Sequence, residues 1–208
     1  MTDIIFVLDE SLSMAVKYST YIQAINSFIT AQKEFNPHSL FTLVKFSSDV
    51  NVMCVDMKIR NLPEFSYEHY KPHGVTALFD AIGHVIGLKE DSLRNTIMII
   101  LTDGQDNHSS NFGINQIKEK IIELRNRGWT FVYIAAGHNA EDIGRKIGID
   151  KCVTYNETDK SIAEVVYACN VAIGQCISND TGMDNEYSIQ EMPTDVRELL
   201  DGFRKFDL

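Results

Sequence analysis

The sequence predicts an α/β chain: a doubly wound, mostly parallel central sheet with one antiparallel edge strand and helices on both faces. Short continuous apolar runs, at residues 4–8, 96–101 and 129–136, read as strands buried on both sides. Between them lie longer stretches whose apolar residues recur at helical spacing. The two patterns alternate through most of the chain, and such alternation builds a parallel sheet covered by the intervening helices.

Each element follows in turn. Ile4-Ile5-Phe6-Val7-Leu8 is the first strand and ends at Asp9. Tyr18, Ile22, Ile25 and Ile29 then form one helical stripe, a core stripe, which Asn36-Pro37 stops. Residues 40–46 and 50–55 read as a hairpin around Ser47-Ser48-Asp49. Residues 58–75 are irregular, with Pro63, Pro72 and Gly74. Leu78, Phe79, Ile82, Val85 and Ile86 mark a second helix, which leads to the strand at 96–101. Ile114, Ile117, Ile121 and Leu124 mark a third, with Arg125 and Arg127 in its last turn and Gly128 beyond, both C-terminal signals. After the strand at 129–136, a short helix carries Ile143 and Ile147 to Gly148. Cys152-Val153-Thr154 is the last edge strand, and Ile162, Val165, Val166, Cys169 and Ile173 make the final core helix.

This organisation gives one domain over residues 1–177, an acidic linker over 178–193, and a C-terminal amphipathic helix or tail over 194–208. Residues 178–192 hold Asp180, Asp184, Glu186 and Glu191 and no Lys or Arg. Val196, Leu199, Leu200, Phe203 and Phe206 fit a short amphipathic helix that Gly202 weakens.

The 208 residues are 44% hydrophobic and 23% charged, which supplies a core and excludes a wholly disordered chain. Twenty-nine acids against nineteen bases give a formal charge of -10, which disfavours a general nucleic-acid binder. No segment reaches the roughly 18 apolar residues of a membrane span. Met1-Thr2-Asp3 puts an acid where a secretory leader needs positive charge. Cys54, Cys152, Cys169 and Cys176 are scattered without a CxxC, so reduced thiols in a cytoplasmic setting are expected rather than a disulfide framework.

The residues that carry chemistry lie just past the carboxyl ends of strands. The first strand delivers Asp9-Glu10-Ser11-Leu12-Ser13, a DxSxS motif. The loop before the second helix contributes Gly74-Val75-Thr76, and the strand at 96–101 delivers Thr102-Asp103-Gly104. Open α/β sheets bind ligands outside the carboxyl ends of their strands, where strand order reverses. If those two strands are neighbours there, Asp9 and Asp103 face each other across the crevice. Two carboxylates and three hydroxyls make a hard, all-oxygen donor set. Magnesium takes six oxygens in near-octahedral geometry and few protein carboxylates. With Ser11, Ser13 and Thr76 as direct ligands and Asp9 and Asp103 acting mainly through bound water, the ion stays electrophilic and wants an anionic sixth ligand. The plainer alternative is that Asp9, Ser11 and Ser13 only cap a helix or satisfy a turn.

Taken together, DxSxS, a Thr in a Gly-containing loop before a helix, and TDG after a later strand resemble the von Willebrand factor type A domain. They resemble in particular its metal-ion-dependent adhesion site (MIDAS), as in intracellular bacterial and viral-type members. Asp9, Ser11, Ser13, Thr76 and Asp103 each match a signature element, in order, and the resemblance covers roughly residues 1–176. It implies a Rossmann-like fold, a bound Mg2+ with Mn2+ or Ca2+ as substitutes, and a protein partner that presents an Asp or Glu. Val75 stands where many members have Gly. Asp80 matches a stretch common in such members. An acid in a first helical turn is favoured by the helix dipole alone, with orientation of the loop or of a ligand's water as the alternative role. Met14, His73 and residues 105–108 are expected on the rim, with Asp106, Asn107 and His108 as solvated loop residues.

An enzyme is the competing reading. A phosphatase-like, Mg2+-dependent phosphoryl-transfer enzyme would use Asp9 as nucleophile and a second acid two residues later as general acid. That position is Ser11, which does no acid–base work near neutral pH. No nucleophile–base pair, Walker loop or GxGxxG is present. The expectation is therefore a binding module and not an enzyme. The acids of the tail are candidate pseudo-ligands for the site.

Overall fold

From Thr2 to Asp9 every residue of strand β1 is buried, which fits a central position with helices on both faces. The computed structural model describes residues 1–136 and 140–155, with Ile162, Val166, Cys169 and Asn170 beyond them. The expected linker and tail, together with Val165, Ile173 and Cys176, lie outside the described residues. After β1 come a short 3-10 segment (Leu12–Lys17), α1 (Tyr18–Phe35), β2 (Leu40–Phe46) and β3 (Val50–Lys58). Then follow α2 (Leu78–Lys89), β4 (Asn95–Thr102), α3 (Ile114–Asn126), β5 (Thr130–Ala136), α4 (Ala140–Lys146) and β6 (Lys151–Tyr155).

The strand order is β3-β2-β1-β4-β5-β6, with β3 antiparallel to β2 and the other neighbours parallel. This is the predicted doubly wound sheet with one antiparallel edge strand. Alternate residues of β1 serve two cores. Ile4, Phe6 and Leu8 pack with Tyr21, Ile25 and Phe28 of α1 and with Ile162, Val166 and Cys169. Ile5 and Val7 pack with Leu78, Ile82 and Val85 of α2 and with Ile117 and Ile121 of α3. Cys169 fills core as expected, and burial pushes its thiol up to about 12. Among the described residues no helix is long and apolar enough to cross a membrane.

Two details differ from the sequence expectation. Tyr18 is not part of the core stripe: it is exposed and meets Tyr67 edge-on, with ring centroids 5.5 Å apart. The buried stripe starts at Tyr21: Tyr18 is the first residue of α1 and turns its ring to Tyr67 of the loop before α2 rather than to the sheet. Strand β3 runs to Lys58 rather than ending at residue 55. Its last residues are exposed, so the apolar pattern fades while backbone pairing with β2 continues to Leu40 and Lys58.

The topology sets the site. β1 is followed by a helix on one face of the sheet and β4 by a helix on the other, so the chain diverges between their carboxyl ends. Leu8 pairs with Leu101, which brings Asp9 and Asp103 to the two lips of that crevice.

Candidate metal centre

Asp9 is fully buried at the end of β1. Its Oδ1 accepts the Ser11 N–H at 2.7 Å and its Oδ2 accepts the Thr102 hydroxyl at 2.5 Å. Burial pushes its carboxyl above the ordinary Asp range, against the pull of those hydrogen bonds. The Thr102 hydroxyl in turn accepts the Gly104 N–H at 3.1 Å, and the Thr102 carbonyl accepts from Tyr155 Oη at 3.2 Å. Tyr21 Oη lies 3.0 Å from Tyr155 Oη, so a buried polar layer supports this corner from α1 and β6.

Ser11 stands at the N-cap position of the 3-10 segment, yet its side chain makes no capping hydrogen bond. Its hydroxyl lies 3.1 Å from that of Ser13, and Ser13 donates to Asp103 Oδ1 at 2.7 Å. Capping alone therefore does not account for the serines. The structure joins Asp9, Ser11, Ser13 and Asp103 across the two strand ends.

Thr76 arrives from the long loop before α2 and is buried. Its N–H donates to Asn107 Oδ1 at 2.9 Å, and its carbonyl accepts the N–H groups of Asn107 and His108 at 2.9 and 3.2 Å. Thr76 Oγ1 lies 3.5 Å from where a Cβ on Gly104 would stand, so the hydroxyl sits over the turn beside Asp103. The loop is pinned to the end of β1 at several points. Tyr70 Oη donates to the Asp9 carbonyl at 2.7 Å, the Lys71 N–H to Glu10 Oε1 at 2.5 Å, and the His73 N–H to the Glu10 carbonyl at 2.8 Å. Glu10 is itself buried and paired with the buried Lys45 of β2 at 2.8 and 3.0 Å. Gly74 adopts φ +69°, and a Cβ there would stand 2.4 Å from Ser48 Oγ, which accepts the Val75 N–H.

On the opposite lip, Asp80 fastens the loop after β4 to α2. Its carboxylate accepts the N–H groups of Ser110, Asn111 and Phe112 and the Asn111 side-chain amide, all at 2.9–3.0 Å. Burial alone would raise its carboxyl, but these donors outweigh it and hold the group below the ordinary Asp range. Two expectations are corrected here. Asp106 and Asn107 are not merely solvated: Asp106 accepts the Phe79 N–H and the Ser109 hydroxyl, and Asn107 brackets Thr76. Met14 is not on the rim, since its side chain is buried in the core with α1; the neighbours Leu12 and Val16 are exposed instead.

Thr102, Asn107, Glu10 and Lys45 are the residues that motif reading missed. Lys45 carried a signal, because a lysine inside an otherwise apolar strand needs a buried partner. Thr102 and Asn107 carried none apart from their proximity to Asp103.

The donor set fits a hard divalent cation. Octahedral magnesium, with oxygens at about 2.1 Å, sets neighbouring ligand oxygens about 3.0 Å apart, close to the 3.1 Å between Ser11 Oγ and Ser13 Oγ. Among the described residues no three His, Cys, Asp or Glu side chains converge, so the set stays at two carboxylates and three hydroxyls.

A family model for the von Willebrand factor type A domain matches residues 3–167. None of the curated proteins matches the chain. Proximal thread matrix protein 1 from the mussel byssus, solved with a zinc-occupied MIDAS motif, superposes with a TM-score of 0.62 at 19% identity, covering 83% of this chain and 46% of that one. The SpaC pilus adhesin of Lactobacillus rhamnosus GG gives 0.67 at 14% identity, covering 84% and 31%. A mutant of the PilB minor pilin from Streptococcus sanguinis gives 0.62 at 15% identity, covering 88% and 63%. At these identities the likeness concerns the fold. The chain spans less than two thirds of the length of each of these three.

Proposed function

The chain belongs to the von Willebrand factor type A domain family, and on that footing we propose that it is a Mg2+-dependent protein-binding module. Ser11, Ser13 and Thr76 hold the ion directly, and Asp9 and Asp103 hold its waters. A partner's Asp or Glu completes the coordination, and Mn2+ or Ca2+ can substitute. The observation that carries this reading is the linkage of Ser11, Ser13 and Asp103 by hydrogen bonds in front of a buried Asp9, each of whose oxygens accepts one hydrogen bond and keeps a lone pair for a metal-bound water. Ser13 donates its hydroxyl hydrogen to Asp103 and accepts from Ser11, which leaves one lone pair of its oxygen for a cation.

The same geometry speaks against phosphoryl transfer. A nucleophilic carboxylate must reach its substrate, whereas Asp9 has no exposed surface and both its oxygens are engaged. Absence of turnover on aryl phosphates with Mg2+ is the expected result. Cys54, Cys152 and Cys169 are free thiols, which suits the cytoplasmic setting we assign.

Affinity capture from the native host tests the binding reading. Partner retention in Mg2+ should vanish in EDTA and in an Asp9→Ala, Thr76→Ala variant. Full retention by that variant in EDTA would exclude a metal bridge.

A further inference from the structure

Two segments flank the metal centre on one side, the turn after β1 and the loop leading to Thr76. They hold five of the exposed large apolar residues: Leu12, Val16, Tyr18, Tyr67 and Val75. Val16 is 81% exposed, Leu12 63% and Val75 41%, although the fold buries apolar residues thoroughly elsewhere around the site. The Leu12 N–H donates to the Gly74 carbonyl at 3.3 Å, which sets the DxSxS turn against the residue before Val75. Val75 also stands where the motif more often has a glycine, so this chain adds an apolar side chain beside its ligand Thr76.

Charge is distributed unevenly as well. Residues 11–21 and 71–79, which hold Leu12, Val16 and Val75, contain no acid and include the exposed Lys71, in a chain with 29 acids and 19 bases; Glu68 lies beside Tyr67. The opposite lip is polar, with Gln105, Asn107 and His108 exposed. A cation centre thus has an apolar half-rim with the exposed Lys71 on one side, where Glu68 follows Tyr67, and a polar half-rim that includes the half-buried Asp106 on the other. Exposed apolar side chains grouped at a binding centre mark an interaction surface. Charge complementarity there selects an acidic occupant.

We propose that the partner presents its metal-binding acid on a loop with an apolar residue next to that acid, seated on Leu12, Val16 and Val75. This inference rests on the metal-bridge reading above and adds to it the sequence class of the ligand. The metal selects the carboxylate, the half-rim selects its neighbour, and Lys71 favours further negative charge on the same loop.

The probe is a library of disulfide-closed heptapeptides with a fixed central Asp and the other positions randomised, panned against the full chain in Mg2+ and in EDTA. Selection in Mg2+ should enrich Leu, Ile, Val or Phe beside the Asp. A Val16→Ser, Val75→Ser variant should bind the selected peptides about tenfold or more weakly, while its Mg2+ affinity by calorimetry stays within twofold and an Asn-for-Asp control peptide still fails. Mg2+-dependent peptides without an apolar preference, or a preference untouched by the variant, would overturn this inference and leave the metal bridge standing. No Mg2+ uptake, or equal binding in EDTA, would overturn both. Displacement of the peptides by a synthetic peptide of residues 178–208 would assign the surface to the chain's own tail. A Mg2+-dependent dimer abolished by the variant would assign it to a second copy. Either result overturns the choice of a separate partner protein.

Discussion

Asp9 shows how much of this site is decided by neighbours that the motif does not contain. A carboxylate without exposed surface is costly unless donors or a cation face it, and here Ser11 N–H and the Thr102 hydroxyl do so. Thr102→Val keeps the side-chain shape and removes that donor. It should weaken Mg2+ binding by roughly 10–100-fold and cost about 1–3 kcal/mol of stability, as read by calorimetry and urea unfolding. Asp80 acts on the other lip, where its carboxylate is taken up by the loop after β4. Its carboxyl titrates lower in the folded chain than unfolded, so its stabilisation is complete above the unfolded value near pH 4 and disappears as pH falls through the folded one. Asp80→Asn should therefore be less stable than the parent at neutral pH, by about 1–3 kcal/mol, and the gap should close in denaturation curves taken below about pH 4. At this scale Asp9, Ser11, Ser13 and Asp103 were readable as candidates because they stand within a few residues of two strand ends, and Thr76 because it stands in a Gly-containing loop before a helix. Thr102, Asn107 and Glu10 were not, because their partners come from distant segments: Asp9 lies 93 residues from Thr102 and Thr76 31 from Asn107.

The long loop before α2 is the element on which the site depends most, since it alone brings in Thr76. It has little regular structure, so hydrogen bonds to β1 hold it in place, and Glu10 provides two of them. Glu10 can be buried there because Lys45 of β2 offsets its charge. Lys45→Met would leave that carboxylate buried without its cation, which costs about 3–5 kcal/mol. Pairing it with Glu10→Gln should recover much of the loss in the same unfolding assay. Helix and strand existence followed from periodicity, but their extent did not. Tyr18 lies outside the stripe because, as the first residue of α1, it meets Tyr67 rather than the sheet, and β3 outruns its apolar pattern because an edge strand needs partners only on one side.

The whole molecule is a sheet whose order reverses beside β1, and the reversal places three distant stretches of chain around one crevice. Strand–helix alternation made that architecture readable, since parallel neighbours require covered crossovers. The position of the site followed from it, while the apolar half-rim did not, because exposure is a property of the folded surface. A cation bound only by the folded chain stabilises all of it: at 100 times its dissociation constant, Mg2+ should add about 2.7 kcal/mol and raise the unfolding temperature by roughly 5–10 °C, reversed by EDTA. The most direct measurement is titration calorimetry of Mg2+ into the chain and into Ser13→Ala, Thr76→Ala. One ion per chain with micromolar-to-millimolar affinity, lost in the variant while its circular dichroism is unchanged, is the expected result. No uptake by the parent chain, or equal uptake by both, would contradict a metal centre built from these side chains.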